Sequence, residues 1–175
     1  MTARTMDAPT FDAWLSETTE REVWLVLARK GQPGLTATEA LDVALCHGWI
    51  DSHRRRHDDR HFLQRYSPRR PASPWSQVNV ERAEHLEAAG RMRTGGDAEL
   101  ATARADGRWS AAYPRQSNAE VPPVLTEALA ADPRAAATFA GMSRSGRYAL
   151  ILPLLKARTD RTRATALTRV LKSLA

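Results

Sequence analysis

The sequence has a single cysteine, very little lysine and no long apolar run, and each shortage excludes a class of protein. With Cys46 alone, no disulfide can form within the chain, so nothing indicates an oxidising compartment. No segment approaches the ~20 apolar residues that a membrane-spanning helix needs. Residues 1–9 lack the apolar stretch of a signal peptide. We therefore expect a cytoplasmic protein without a transmembrane segment.

Positive charge is what the sequence has in excess. Lys and Arg together number 26 against 20 Asp and Glu, which gives a formal net charge of +6, and almost all of the cations are arginine. Guanidinium groups match carboxylate and phosphate, so this excess favours an anionic partner. A genome that uses arginine in place of lysine explains the same bias without any partner. The 42% hydrophobic content excludes a disordered chain and is ordinary for a globular domain.

The first half of the chain alternates helical and extended patterns. Apolar residues recur at helical spacing in residues 10–18 and again after the capping-box pair Thr36 and Glu39. Residues 22–29 are apolar on both alternating faces, which predicts a strand covered on both sides. Two further segments, 49–56 and 61–67, predict antiparallel strands joined by a turn. We expect these three strands to form a small antiparallel sheet packed by helices.

The second half of the chain has helical patterns. Gly95-Gly96 is expected to precede a short helix, and Asp132-Pro133 is typical of a helix start. Asp160 is expected to cap the last helix, which should bury one stripe of side chains: Ala164, Leu167, Val170, Leu171 and Leu174. The predicted class is α+β, a small antiparallel β-sheet packed by helices and followed by a helical C-terminal region. We divide it into an α+β subdomain, 1–113, and a helical subdomain, 114–175, within one compact unit.

Several segments taken together resemble one known family. They are Glu22–Leu27, Ala44–Asp51, Phe62–Pro71, Trp75–Val80, Gly90–Met92, Asp106–Tyr113, Arg147–Ala149 and Lys156–Thr159. On these residues the chain, from Phe11 to Ala175, resembles the YdeI/OmpD-associated family, also called bacteriocin-protection proteins. The resemblance implies a stress or antimicrobial protection protein, and no catalytic residues or cofactor come with it. A net charge of +6 repels cationic peptides at long range, so we expect an indirect route rather than sequestration.

The predicted hairpin and the helix after it hold the most distinctive set of side chains. Trp49 and Asp51 are two residues apart on one strand, so both point to the same face. Ser76 is a predicted N-cap, and the free amides of a helix start favour anions. We predict a pocket for a small or anionic ligand with seven lining residues: Trp49, Asp51, Arg65, Arg69, Arg70, Trp75 and Asn79.

The same residues also have a structural interpretation. Asp51 would pair with Arg65 or Arg69 across the hairpin, and the tryptophans would be core anchors. If the pocket is an active site, Asp51 is its candidate acid or base for a reaction on a small molecule. Nearby arginines should lower the pKa of Asp51, which weakens it as a general acid. The residues leave open whether the protein is an enzyme.

Other chemical motifs give weaker signals. His53, His57 and His61 are four residues apart, which suits zinc on a helix, but the turn pattern between them predicts no metal site. Cys46 lies near a helix C-terminus, where the dipole disfavours a thiolate nucleophile. His47 at the same helix end is expected to be a surface or dipole residue. The chain has no phosphate-binding loop and no dinucleotide fingerprint, so no cofactor is predicted.

The C-terminal region is strongly basic. It carries one acid, Asp160, against eight cations: Arg144, Arg147, Lys156, Arg158, Arg161, Arg163, Arg169 and Lys172. Solvated helix faces account for this pattern. The alternative is contact with nucleic-acid phosphates or anionic lipid, which salt would weaken. No nucleic-acid-binding motif supports such a partner, and the sequence indicates neither the small ligand nor the oligomeric state.

Overall fold

The structure is a computed structural model that describes residues 2–175. It divides into two compact units. The sheet unit comprises Met1–Trp75 and Asn79–Ala111, and the helical unit comprises Ser76–Val78 and Ala112–Ala175. The described residues form eight helices and one four-stranded sheet, which confirms the predicted α+β class.

The first eight elements belong to the sheet unit, except for the first two residues of the third helix. They are β1 (Ala3–Arg4), α1 (Ala8–Glu17), β2 (Val23–Ala28), α2 (Ala37–Cys46), β3 (Trp49–Arg56), β4 (His61–Pro68), α3 (Gln77–Ala88) and α4 (Thr94–Ala105). The strand order is β1-β2-β4-β3. β1 is parallel to β2, and the other pairs are antiparallel. The predicted three-stranded antiparallel sheet therefore gains a fourth, parallel strand, which is too short to produce a sequence pattern.

One face of the sheet forms the core of the sheet unit. Cross-strand partners point to the same face, and Tyr66 of β4 is the partner of both Val23 in β2 and Asp51 in β3. Val23 and Tyr66 belong to a buried cluster that also contains residues of α1 and α2: Phe11, Leu15, Ala40, Val43 and Ala44. Asp51 is therefore on the core-facing side of the sheet.

Glycine allows the start of α4 to approach the end of α2. Gly48 has a φ of +74°, the left-handed conformation expected of the residue that follows a helix. Gly96 lies inside α4, where an added Cβ would overlap the carbonyl oxygen of Cys46. The expectation that Gly95-Gly96 precedes the helix is therefore wrong by one turn. These glycines permit a backbone contact and do not break the helix.

The helical unit contains the last four helices. They are α5 (Pro123–Ala131), α6 (Pro133–Gly141), α7 (Arg144–Leu155) and α8 (Asp160–Leu174). The carboxylate of Asp132 accepts from the amide of Ala135 at 3.0 Å, which confirms the predicted cap of α6. α8 is capped one residue earlier than predicted, by Thr159. Among the described helices, none combines the length and apolar character needed to cross a membrane.

The helices of this unit surround an apolar core. It contains Leu125, Ala135, Phe139, Ile151, Leu154, Ala166, Val170 and Leu174. Val170 and Leu174 are buried on α8 as predicted, and Leu167 and Leu171 pack partly against them. Ala164 is exposed, and Ala166 takes the buried position instead.

Candidate functional site

Asp51 is partly buried on the core-facing side of the hairpin. Burial raises the pKa of its carboxyl, and the opposing effects of its own backbone amide, Arg54 and Arg69 are smaller. The arginines lower this pKa as expected, but desolvation outweighs them, so the net shift is upward. Within residues 2–175, Asp51 forms no ion pair, since Arg65 pairs with Glu22 and Arg69 turns to other partners. The predicted clamp between Asp51 and an arginine does not form.

Tyr66 lies directly across the hairpin from Asp51. Its side chain is 0% exposed, and its hydroxyl has no hydrogen-bond partner among the described residues. Burial raises the pKa of Tyr66, and the negative charge of Asp51 raises it further. An unsatisfied buried hydroxyl costs about 1–3 kcal/mol, so such a group normally has an acceptor. The hairpin thus presents a buried donor beside a partly buried carboxyl group.

A β-bulge brings Arg54 to the same side of the sheet. The strand register shifts between Asp51 and Arg54. Gln64, which is buried, fills the bulge: its amide nitrogen donates to the carbonyls of Ser52 at 3.2 Å and His53 at 3.3 Å. Its amide oxygen accepts from Arg54 Nε at 3.0 Å. Arg54 is held close to Asp51, although a regular strand pattern in the sequence gives no sign of a bulge.

Arg69 is fixed by three groups. Its Nη2 donates to the carbonyl of Pro74 at 2.8 Å, its Nε lies 3.4 Å from Glu99 Oε1, and its guanidinium carbon is 3.9 Å from the centre of the Trp75 ring. The side chain is only 3% exposed. Glu99 also accepts from Arg108 at 2.6 Å. Arg69 therefore holds the loop in place and supplies positive charge near Asp51.

Trp75 is buried within a stack of aromatic and guanidinium groups. Its ring centre is 4.9 Å from that of Trp109, and Arg104 lies 4.9 Å from the Trp109 ring centre. The indole nitrogen of Trp75 has no hydrogen-bond partner among the described residues. Sequence reasoning missed Trp109 as the partner of this ring, because the two residues lie on separate segments.

The structure unites some of the seven predicted residues and separates others. Asp51, Arg69 and Trp75 form one linked group, since Arg69 stacks on Trp75 and its charge acts on Asp51. Trp49 shares their side of the strand but packs in the core, edge-on to Trp14 at 5.8 Å. Arg65 points to the opposite face. Its position next to Tyr66 on β4 requires this, and there it binds Glu22.

The last two predicted residues differ from this group in their exposure. Arg70 is exposed on the loop, and Asn79 is partly buried in α3. Ligand binding by the seven residues stays a prediction. Three residues that the sequence did not indicate belong to the same neighbourhood: Arg54, Gln64 and Tyr66.

The side chain of His47 is buried and does not lie at the surface. Its side chain is 7% exposed, and its Nε2 lies 2.8 Å from Asp12 Oδ1. Arg93 Nη2 donates to the other oxygen of Asp12 at 2.8 Å. The hydrogen bond from Arg93, with help from His47, lowers the pKa of Asp12. Burial raises the pKa of the neighbouring Cys46 thiol, which disfavours a thiolate there.

The histidines of the hairpin turn are arranged around a carboxylate. His61 Nδ1 lies 3.1 Å from Asp58 Oδ1, and His57 Nε2 lies 3.9 Å from Asp58 Oδ2. Backbone amides of Arg60 and His61 also donate to Asp58, both at 2.7 Å. In the described part of the chain, no group of three or more His, Cys, Asp or Glu residues is placed to hold a metal ion.

The basic residues of the helical unit do not form one free surface. Lys156 is partly buried 4.9 Å from the ring centre of Tyr113, and burial lowers its pKa. Arg144 donates to the carbonyl of Ser117 at 2.7 Å. Arg163 pairs with Asp160. The predicted basic surface is thus smaller than the sequence indicates, and nucleic-acid binding through it stays a prediction.

Comparison with known families separates two parts of the chain. Residues 3–99 match a family described as a domain of unknown function (DUF8412). Residues 118–175 match the family described as bacteriocin-protection, YdeI or OmpD-associated. No curated protein and no solved structure gives a significant match.

The two matches refine the resemblance seen in the sequence. The YdeI/OmpD-associated family is confirmed for residues 118–175. The supporting segments between residues 22 and 92 lie instead within the first match, which covers more than half of the chain. The chain therefore belongs to the DUF8412 family, and its C-terminal residues match the bacteriocin-protection, YdeI or OmpD-associated family.

Proposed function

We propose that this is a non-enzymatic protection protein that binds a small anion beside Asp51 and Tyr66. The observation that carries the proposal is the buried hydroxyl of Tyr66, which has no acceptor among residues 2–175 and lies across the hairpin from Asp51. A carboxylate or phosphate oxygen would supply that acceptor. Arg54 and Arg69 lie close enough to act on Asp51, so they also favour an anion at this position.

The raised pKa of Asp51 is compatible with anion binding. In its protonated form the carboxyl group donates a hydrogen bond, as the Tyr66 hydroxyl does. An incoming anion stabilises that protonated form, so binding takes up a proton. Anion affinity should therefore increase as the pH falls through the raised pKa of Asp51 and decrease as the pH rises above it.

The protective role is supported by the family that residues 118–175 match. The formal net charge of +6 opposes direct capture of a cationic peptide, because like charges repel. An indirect route that depends on a small ligand agrees better with this charge. Cells that produce the protein should survive a bacteriocin or cationic-peptide challenge better than cells that produce the Tyr66→Phe variant.

Ligand binding is tested by the thermal shift of the full chain with inorganic phosphate, acetate and citrate. At least one anion should raise the Tm of the wild type, since a ligand at 100 times its Kd stabilises a protein by about 2.7 kcal/mol. Tyr66→Phe and Arg54→Gln should fold and lose most of this shift. Arg21→Gln removes one charge from an exposed position of the same unit and should keep it.

Two results would contradict the proposal. One is a wild-type protein whose Tm none of the three anions raises. The other is a Tyr66→Phe variant that is more stable than the wild type and keeps the full anion shift. That second result would mean that Tyr66 is a core residue with an unsatisfied hydroxyl and no role in binding.

A second candidate function is an enzyme that acts on a small molecule at the same position. The raised pKa of Asp51 favours it, because a general acid must hold its proton near the working pH. Asp51→Asn would then abolish product formation while the substrate still binds. If Asp51→Asn changes only affinity and its pH dependence, the binding function is supported instead.

A further inference from the structure

The helical unit has a pocket that the proposed function does not use. Its volume is about 210 Å³, and it is lined by residues of α6, α7 and the segment before α5. The lining includes three apolar side chains, two arginines and a tyrosine: Val121, Phe139, Ile151, Arg144, Arg147 and Tyr148. All of these residues belong to the helical unit, so the pocket is described within one compact unit.

The apolar part of the lining combines a buried floor with an exposed wall. Phe139 and Ile151 are 6% and 3% exposed and belong to the core of the unit. Val121 is 38% exposed, which is unusual for a large apolar side chain in this protein. Tyr148 directs its hydroxyl to the carbonyl of Pro114 at 2.9 Å, so that polar atom is already satisfied. These groups suit an apolar body that would cover Val121.

The charged part of the lining has one sign. Neither Asp nor Glu lines the pocket. Arg144 is anchored to the carbonyl of Ser117, whereas the exposed Arg147 guanidinium forms no hydrogen bond or ion pair with any residue of 2–175. Both arginines lie in the first turns of α7, which contain no acidic residue to offset the positive end of the helix. A carboxylate next to Arg147 would form a charge-assisted, bidentate pair of hydrogen bonds with its guanidinium group.

We propose that this pocket binds a small carboxylate with an apolar body, about the size of a monocyclic aromatic acid. An apolar cavity of about 150 Å³ holds a benzene-sized ligand, so this larger pocket has room for a ring and a carboxylate. The ring lies against Val121, Phe139 and Ile151, and the carboxylate faces Arg147. The site is separate from Asp51 and Tyr66, and it does not depend on the function proposed for them.

The probe for this site is benzoate, titrated into the full chain and followed by NMR chemical shifts and calorimetry. Benzamide has the same shape without the charge, and acetate has the charge without the ring. Benzoate should shift resonances within residues 116–151. It should bind at least about tenfold more tightly than benzamide, because it adds a charge-assisted hydrogen bond, and at least about tenfold more tightly than acetate, because it adds the apolar contact of the ring.

Two variants and one control separate the contributions of charge and of apolar contact. Arg147→Gln should weaken benzoate about tenfold or more and leave benzamide unchanged. Val121→Asn should weaken both aromatic ligands. Arg169→Gln removes the same charge from an exposed position on α8 that does not line the pocket, and its benzoate affinity should equal that of the wild type.

Three results would overturn the proposal. Equal binding of benzoate and benzamide would show that the arginines do not select a carboxylate. Equal loss of affinity in Arg147→Gln and Arg169→Gln would show a general charge effect. Benzoate shifts confined to residues around Asp51 and Tyr66 would assign the anion to the sheet unit and leave this pocket without a ligand.

Discussion

The two units differ in whether their arginine side chains are buried or exposed. In the sheet unit, Arg69 and Arg108 are 3% and 1% exposed, and both are held by Glu99. In the helical unit, the buried cluster contains only apolar side chains, and Arg144 and Arg147 are exposed. The same residue type therefore builds the interior of one unit and remains accessible to a ligand in the other. A count of arginines along the chain does not distinguish these roles.

Aromatic rings show the same contrast. In the sheet unit, five arginines lie over an aromatic ring, namely Arg4, Arg54, Arg55, Arg69 and Arg104, whereas in the helical unit it is Lys156 that lies over Tyr113. A cation over a ring contributes about 0.5–2 kcal/mol, depending on its exposure. Much of the positive charge near the sheet is thus committed to packing. This is why a cationic sequence does not by itself indicate a nucleic-acid partner.

The largest expected effect tests the buried charges of the sheet unit. Glu99→Gln leaves Arg69 and Arg108 without their shared carboxylate, and removal of one partner from a buried pair costs about 3–5 kcal/mol. We expect the lower end, because Asp106 still accepts from Arg108 at 2.7 Å. Urea unfolding measures the loss.

The matched control for this variant is Glu87→Gln. Glu87 pairs with Arg104, but both side chains are about 40% exposed, so the change should cost less than about 1 kcal/mol. If the Glu99 and Glu87 variants lose equal stability, the buried charges do not hold the sheet unit, and the contrast between the units fails.

An intermediate effect compares one helix start in each unit. Thr36→Ala removes a cap in which Thr36 binds the carboxylate of Glu39, and Thr159→Ala removes one in which Thr159 binds the neutral hydroxyl of Thr162. Each change should cost about 1 kcal/mol. The loss at Thr36 should be the larger, because hydrogen bonds to a charged acceptor are stronger. Urea unfolding of the two variants measures the difference, and a larger loss at Thr159 would reverse the comparison.

The smallest expected effect is the loss of stability of the sheet unit at acidic pH. The carboxylates whose pKa the fold lowers all belong to the sheet unit: Asp7, Asp12, Glu39, Asp58 and Glu87. For Asp58 the pKa falls from 3.8 to about 2, chiefly through the backbone amide of Arg60. A lowered pKa stabilises the fold above the ordinary value, and this contribution disappears as the pH falls from about 4 towards 2.

Hydrogen exchange resolved by residue measures this loss. Amides of the sheet unit should exchange faster on acidification before those of the helical unit do. Asp58→Asn should weaken amide protection around the turn at neutral pH, where Asp58 is ionised, and change little near pH 2, so the acid dependence there becomes smaller. If amides of α5 to α8 exchange faster first on acidification, these carboxylates do not determine which unit is destabilised by acid.

Local signals were enough to predict much of the fold. The box formed by Thr36 and Glu39 and the cap at Asp132 each depend on residues only a few positions apart. β1 and the position of Gly96 inside α4 depend on partners far along the chain, Trp24 and the Cys46 carbonyl. One sequence without its contacts does not reveal such pairs.

In the candidate site, too, the features that depend on local sequence were predictable and those that depend on distant contacts were not. Alternation along a strand correctly places Trp49 and Asp51 on one face, and the same rule places Arg65 on the opposite face. Arg54 joins Asp51 only because a bulge shifts the register. The raised pKa of Asp51 follows from its burial, and burial depends on the packing of the whole sheet unit.

The tryptophans offer a way to observe one unit at a time. All five of them, Trp14, Trp24, Trp49, Trp75 and Trp109, belong to the sheet unit. Indole fluorescence therefore reports on that unit alone, and its emission shifts to longer wavelength when the packed indole rings become hydrated. The helical unit contributes tyrosine without tryptophan. A difference between the fluorescence melting curve and the loss of circular dichroism from the helices would measure how independently the two units unfold.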